Sequence, residues 1–185
     1  LSGMTADDID MVDVYSCFPS AVQIARQELG IATNRQLTVT GGLTFAGGPL
    51  NNYVMHSIAR MAQLLRENPG NRGMITANGG YITKHAFGIY SSEAPSQPFQ
   101  HADLQDQVDA TLKREVVIGH EGKGEVEGYS VMYGPEGVTK AFVAARLDDG
   151  RRAWGVSEDT GLLQTTTEEQ CCGRRVRLAD HVATF

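Results

Sequence analysis

Three short segments rich in glycine or polar residues have the composition of a ligand site. They are residues 15–18 (Tyr-Ser-Cys-Phe), residues 41–49 and residues 77–80 (Ala-Asn-Gly-Gly). Each follows a predicted strand, and in α/β proteins ligand sites gather at strand ends. Glycine there lets backbone N–H groups face a ligand oxygen, which is the geometry of an oxyanion hole. The same composition also suits tight turns between packed elements, so both interpretations stay open at this point.

Tyr15 and His85 are the side chains near these segments that could act in catalysis. Phenols ionise only near pH ~10, so a tyrosine is better suited to donate a hydrogen bond to an enolate than to act as a base. His85 lies five residues after the last segment, from where its ring could reach a pocket. Either residue could equally be an ordinary packed side chain on a strand.

The elements around these segments follow an α/β pattern. Strands are predicted at residues 11–15, 73–77 and 81–90. Helices are predicted near residues 19–29, which begin with a proline, and near residues 52–67, where apolar residues recur every three or four positions. The order predicts a layered sheet that contains parallel strands. It has too few strands for a complete layered domain, and the sequence begins with Leu, so we expect an N-terminally truncated domain.

The second half has the spacing of a small antiparallel barrel. Strands of about ten residues alternate with turns, and the aspartate–glycine pair at residues 149–150 is a hairpin signal. Roughly five strands fit between residues 124 and 179, which predicts an OB-like β-barrel. The polar linker at residues 91–98 divides the chain. We therefore predict domains at residues 1–94 and 95–185.

Composition restricts the classes of function. The net charge is −6, of which residues 99–185 contribute −5, and this argues against nucleic acid because phosphate binding needs clustered Lys and Arg. The three cysteines form neither a disulfide framework nor a metal-ligand spacing, so no metal is expected. No apolar run approaches the roughly 20 residues that cross a bilayer, and the start does not resemble a signal peptide. The sequence predicts a cytoplasmic protein with no membrane partner.

The order of the three segments resembles the C-terminal half of thiolases, from about residue 8 to residue 93. That family has Asn-Glu-Ala-Phe or His-Asp-Cys-Phe after a strand, then Gly-Gly and a Gly-His-Pro that opens a helix, then Cys-x-Gly-Gly between two strands. Residues 15–18, 41–49 and 77–80 stand at these places. Residues 99–185 resemble the extra C-terminal domain of some thiolase-like proteins.

The resemblance also identifies family side chains that are replaced here. The family's Asn or His, its Gly-His-Pro His and its Cys correspond to Tyr15, Gly48 and Ala77. All three side-chain functions of ordinary thiolysis are therefore missing, whereas the Gly79 N–H could still serve an oxyanion hole. The substrate pocket implied by the resemblance comprises Gly48, Ala77, Asn78, Gly79 and Gly80.

By this resemblance, the function would be that of an acyltransferase of lipid metabolism in the acetyl-CoA acetyltransferase family. A coenzyme A thioester would be the substrate, and no cofactor would be covalently bound. One alternative is a retro-aldol carbon–carbon lyase, because related thiolase-like aldolases use tyrosines. Another is a non-catalytic acyl-CoA binding or scaffold protein.

The resemblance further implies partners. The acyl-accepting cysteine of the family lies in its N-terminal half, so we expect that half as a partner and expect these residues alone to be inactive. Thiolases associate through the main fold. A homo-oligomer with a peripheral barrel is therefore expected.

Overall fold

The computed structural model describes residues 2–185, except for the side chains of residues 81 and 83. They form two compact units, of which the first ends at Asp103 and the second covers Leu104–Phe185. Residues 95–103, which the sequence analysis assigned to the second domain, thus belong with unit 1.

Unit 1 is a small sheet flanked by helices. After a 3-10 turn at Ala6–Asp8, its elements are β1 (Met11–Asp13), α1 (Pro19–Glu28), α2 (Leu43–Ala46), α3 (Tyr53–Glu67), β2 (Arg72–Gly79) and β3 (Tyr81–Ser91). The sheet order is β1-β2-β3, with β1 parallel to β2 and β2 antiparallel to β3. The predicted sheet with parallel strands is confirmed.

Strand β1 is shorter than predicted because its last residues bond elsewhere. The Val14 N–H donates to the Leu37 carbonyl at 2.8 Å, and the Tyr15 N–H donates to Oγ1 of Thr76 at 2.9 Å. The strand therefore ends at Asp13 instead of Tyr15. Tyr15 is left at the carboxyl edge of the sheet, where a side chain can face a ligand.

Helix α3 buries its apolar stripe and two polar residues beside it. The buried positions are Tyr53, Ser57, Met61 and Leu65, and the apolar Val54 and Ile58 are partly buried against the same core. Met61 and Leu65 pack with Ile75 of β2. Tyr53 and Ser57 are turned inwards because both hydroxyls bind Asp13.

Unit 2 is a closed barrel of five strands with one added strand. Its elements are α4 (Gln105–Asp109), β4 (Val116–Val117), β5 (Gly122–Gly134), β6 (Gly137–Arg146), β7 (Arg152–Ser157), α5 (Thr160–Glu168), β8 (Arg175–Ala179) and β9 (Val182–Thr184). The sheet runs β4-β7-β6-β5-β8-β9, and β9 closes it by pairing with β7. This strand order, with a helix between the third and fourth barrel strands, confirms the OB-like fold.

Two elements of the barrel escaped prediction. Strand β9 pairs parallel with β7 through Val182 and Val156, so the barrel is not antiparallel throughout. Helix α5 begins at an aspartate cap, where Asp159 Oδ1 accepts a 2.9 Å bond from the Leu162 N–H. Its buried Leu162 and Leu163 join the barrel core. Across the described residues, none of the helices has both the length and the apolar character needed to cross a membrane.

Candidate functional site

A pocket of about 240 Å³ in unit 1 is lined by Tyr15, Asn78 and His85. Most of its other lining side chains are apolar and come from α1 and the β3 region, among them Ile24 and Phe87. Asn78 and His85 are opposite each other in the β2–β3 pair. Thr76 and Glu28 also line the pocket. Polar side chains in a largely apolar wall can orient one polar group of a ligand while the wall holds its hydrocarbon part.

The ring of Tyr15 rests on that of Tyr53. The two ring centroids are 5.4 Å apart with an interplanar angle of 85°, an edge-to-face contact. The backbone of Tyr15 is tied to Thr76, as described above. Tyr15 is half-buried, so the phenol is held by the sheet while part of its surface stays accessible to a ligand.

His85 is an exposed strand residue whose ring is held by two contacts. Its Nε2 contacts the backbone carbonyl of Ile82, and its ring stacks on that of Phe87 at 6.0 Å. A carbonyl only accepts, so Nε2 carries the proton in this contact and Nδ1 of the neutral ring is an acceptor. The neutral tautomer can therefore take a proton from a ligand.

Asn78 is positioned by a neighbour from the first of the three segments. Its Nδ2 donates to the Cys17 sulfur at 3.6 Å. The thiol of Cys17 is exposed and unbridged. The contact leaves the side-chain carbonyl and the second N–H of Asn78 for other partners.

The remaining predicted site residues lie around this pocket without lining it. Ala77 stands between Thr76 and Asn78 and pairs with Ala86. Gly79 and Gly80 are exposed at the β2–β3 hairpin, where Gly80 has a φ of +86°. The role of the Gly79 N–H in an oxyanion hole stays a prediction.

Gly48 lies against Tyr53, the residue whose ring contacts that of Tyr15. A Cβ at residue 48 would be 3.3 Å from Cδ2 of Leu43 and 3.5 Å from Cβ of Tyr53. Gly48 and Tyr15 thus lie against the same side chain. A larger residue at position 48 would have to displace Leu43.

Asp13 is the polar residue that the sequence analysis missed. It has no exposed surface, and six donor groups lie within hydrogen-bonding distance of its carboxylate. They are the hydroxyls of Tyr53 (2.6 Å) and Ser57 (2.7 Å) at Oδ1, and the Thr38 hydroxyl (2.9 Å), the Val39 N–H (2.9 Å), the Thr40 N–H (3.2 Å) and the Thr40 hydroxyl (3.1 Å) at Oδ2. The Thr40 hydroxyl also lies 2.8 Å from that of Tyr53. Burial, and then the bond to Asp13, raises the pKa of Tyr53.

This network holds the glycine-rich segment next to Tyr15. Oγ1 of Thr38 accepts 3.0 Å bonds from the N–H groups of Gly41 and Gly42. Oγ of Ser16 accepts a 2.9 Å bond from the Leu43 N–H at the start of α2. Residues on both sides of Tyr15 therefore anchor residues 38–43. The sequence signal that could have indicated Asp13 is an acidic residue in an otherwise apolar strand.

No group of three or more His, Cys, Asp or Glu side chains in the part of the chain that the structure describes could hold a metal ion. The pocket offers hydrogen-bonding groups, an imidazole and apolar contact.

Comparison with known proteins identifies relatives for both units. The family model of the thiolase-like protein type 1 additional C-terminal domain matches residues 103–181. The fold is similar to the crystal structure of a monomeric SCP2-thiolase-like protein type 1 from Mycobacterium smegmatis, with a TM-score of 0.87 and 34% identity. That match covers 98% of this chain and 41% of that chain. No curated protein matches the chain.

Two consequences follow for the expectations drawn from the sequence. The resemblance to thiolases is confirmed, and this chain spans less than half of that relative's length. That relative is described as monomeric, which does not support the expected homo-oligomer.

Proposed function

This chain is thiolase-like and carries the additional C-terminal domain of a thiolase-like protein type 1, and from that premise we propose that unit 1 binds the acyl part of an acyl-CoA thioester. The longer protein that contains it would act as an acyltransferase on this substrate. Coenzyme A would be carried only as part of the substrate.

The observation that carries the proposal is the shared pocket of Tyr15, Asn78 and His85. Its apolar wall suits a hydrocarbon chain, and the Tyr15 hydroxyl and Asn78 amide are donors for a thioester carbonyl. Its volume of about 240 Å³ is below the roughly 300–1,000 Å³ of sites that enclose a drug-sized ligand. A short acyl group is therefore the better fit than the body of coenzyme A.

Acyl transfer here would have to differ from ordinary thiolysis. Gly48 and Ala77 have no side chain that can activate a nucleophile or move a proton. Tyr15 needs no ionisation to donate a hydrogen bond to an enolate oxygen. The acyl-accepting nucleophile and the proton-transfer groups would have to come from other positions in the longer protein.

A retro-aldol lyase is the second candidate, because Tyr15 and His85 line the same pocket. Neutral His85 can accept the hydroxyl proton of a 3-hydroxyacyl thioester at Nδ1. The bond between C2 and C3 then breaks to give a carbonyl product and a thioester enolate. Tyr15 can donate to the enolate oxygen, and C2 takes up the proton. A non-catalytic binding protein would use the same pocket without the proton transfer.

Binding tests the shared part of these proposals. We expect calorimetric titration of the chain to give tighter binding of butyryl-CoA than of free CoA. Tyr15→Phe should reduce this preference by about tenfold, as expected for loss of one hydrogen bond to a polar ligand atom. Tyr133→Phe, which removes an exposed barrel phenol, should leave it unchanged. Equal affinities for CoA and butyryl-CoA would contradict the proposal.

Turnover by the longer protein separates the candidates. Thiolysis or acyl exchange with a 3-ketoacyl-CoA supports the acyltransferase, whereas carbonyl release from a 3-hydroxyacyl-CoA supports the lyase. In the latter case, His85→Gln should abolish cleavage and retain binding. Binding without either reaction would leave the acyl-CoA binding or scaffold function.

A further inference from the structure

We infer that unit 2 contains a binding site for a small phosphate-bearing molecule, formed by three arginines around one cavity. The cavity has a volume of about 400 Å³ and is lined by Arg114, Arg146 and Arg175. The carboxylates of Glu125 and Asp148 also line it. The inference shares no residue with the pocket of Tyr15 and stands whether or not unit 1 binds a thioester.

The barrel brings together arginines that are far apart in sequence. Arg146 ends β6 and Arg175 begins β8, and both are register partners of Glu125 on the intervening strand β5. Arg114 precedes β4 and donates to the backbone carbonyl of Gly150. Strand closure, and not any run of basic residues, therefore concentrates the positive charge.

Arginines outnumber carboxylates at this surface. Arg146 pairs with Glu125 at 2.6 Å and Arg175 with Asp148 at 3.0 Å. Glu127 is shared, since both Arg152 at 2.7 Å and Arg114 at 3.3 Å bind it. The cavity lining itself holds three guanidinium groups and two carboxylates, so its formal charge is +1 in a part of the chain that is negative as a whole.

The existing ion pairs do not prevent an anion from binding. The side chains of Arg175 and Asp148 are 52% and 79% exposed, and ion pairs with such exposure are weak because water screens them. Each guanidinium has five N–H donors. The bonds found among the described residues use two on Arg175, two on Arg114 and one on Arg146.

The donor type indicates the ligand class. A guanidinium presents parallel N–H groups that match two phosphate oxygens, which the ammonium of lysine does not. Three such groups around a cavity of this size suit a ligand with more than one phosphate oxygen pair. A diphosphate, free or as part of a nucleoside diphosphate, has this chemistry.

The test is calorimetric titration of the chain with pyrophosphate, ADP and inorganic phosphate at low ionic strength, where charge attraction is least screened. We expect pyrophosphate and ADP to bind more tightly than phosphate. Similar affinities for pyrophosphate and ADP would show that the site recognises the diphosphate alone. Tighter binding of ADP would show that the site also contacts the nucleoside. Arg146→Gln and Arg175→Gln should each weaken binding by about tenfold or more.

Two control variants make the result specific. Arg177→Gln removes the same charge from an exposed position of β8 that does not line the cavity, and we expect less than a twofold change. Arg175→Lys keeps the positive charge but loses the paired N–H groups of the guanidinium, so it should also weaken binding. This variant replaces Arg175→Gln as the test if the glutamine variant fails to fold.

Several results would overturn the inference. One is that neither pyrophosphate nor ADP binds at concentrations up to about 10 mM. Another is that Arg177→Gln weakens binding as much as the cavity variants do. A third is that a single-stranded oligonucleotide binds whereas the small ligands do not.

Discussion

The hydroxyl of Tyr53 donates a 2.6 Å hydrogen bond to Oδ1 of Asp13, a carboxylate with no exposed surface. Tyr53 in turn supports the ring of Tyr15 in the pocket. A buried carboxylate is costly unless its lone pairs are bonded, and here hydroxyl and backbone donors supply those bonds. Substitution of Asp13 or Tyr53 should therefore weaken the packing that supports the ring of Tyr15.

Asp13→Asn should destabilise unit 1 by about 3 kcal/mol. The amide nitrogen would face donors in place of an acceptor, and charge-assisted bonds would be lost. Hydrogen exchange of residues 38–43 should accelerate, because the Val39 and Thr40 amides bind this carboxylate. Asp7→Asn is the control, since Asp7 is exposed. Equal protection of residues 38–43 in both variants would contradict the role given to Asp13.

Tyr53→Phe should change the alkaline stability of unit 1. Burial raises the pKa of Tyr53, so the folded state keeps a proton that the unfolded chain loses near pH ~10. Its contribution of about 1–2 kcal/mol is complete below that pH and is lost as pH rises through the folded pKa. The stability difference between wild type and Tyr53→Phe should shrink over that range.

The tyrosinate absorbance of the folded protein measures this effect directly. The latest-titrating component should disappear in Tyr53→Phe and persist in Tyr133→Phe, which removes an exposed phenol. A late component that survives in Tyr53→Phe would assign it to another tyrosine.

Gly42→Ala should destabilise the glycine-rich segment at residues 41–49 more than Gly30→Ala destabilises the turn after α1. Both glycines have positive φ, +78° and +66°, so both substitutions strain the backbone, and the ψ of −176° at Gly42 places it in a region that essentially only glycine adopts. Only at Gly42 would the new Cβ lie 2.7 Å from Oγ of Ser16, which holds the Leu43 N–H. We expect an additional cost of about 1 kcal/mol, the value of a lost helix cap. Hydrogen exchange of residues 41–47 measures it, and equal effects would exclude the steric argument.

Glu127→Gln should destabilise unit 2 slightly and only above acidic pH. The hydrogen bond from Arg152 lowers the pKa of Glu127, so its contribution is present above the unfolded value near ~4.3 and is lost as pH falls through the folded pKa. Exposure limits that contribution to about 0.5–1 kcal/mol. Thermal unfolding followed by the fluorescence of Trp154, the single tryptophan, reports on this unit.

Glu136→Gln is the matched control for this variant because Glu136 is exposed in the β5–β6 turn. It should have no effect at any pH. A loss in Glu127→Gln that does not diminish as the pH falls would point to packing instead of charge.

Much of the fold was accessible from local patterns. Pro19 and the apolar period predicted α1, and the aspartate–glycine turn near residue 150 predicted the β6–β7 hairpin. These signals are readable because they depend on residues within one or two turns of each other. The position of Tyr15 just after the end of β1 was also accessible.

Other features depend on partners that are distant in sequence. The donors of Asp13 come from residues 25 to 44 positions away, and the arginines of unit 2 meet only after β5, β6 and β8 pair. The burial of Tyr53 and Ser57 on α3 follows from the same long-range bonds to Asp13.

By itself, the sequence determined the thiolase-like order of the three segments and the OB-like second half, whereas the replacement of catalytic residues at Gly48 and Ala77 stays a prediction. The tertiary structure decided that Tyr15, Asn78 and His85 share a pocket, that Asp13 fixes the support beneath it, and that β9 closes the barrel. The physical reason is that backbone conformation follows local sterics and hydrophobic period, whereas a buried polar group is satisfied by whichever donors the packed chain brings to it.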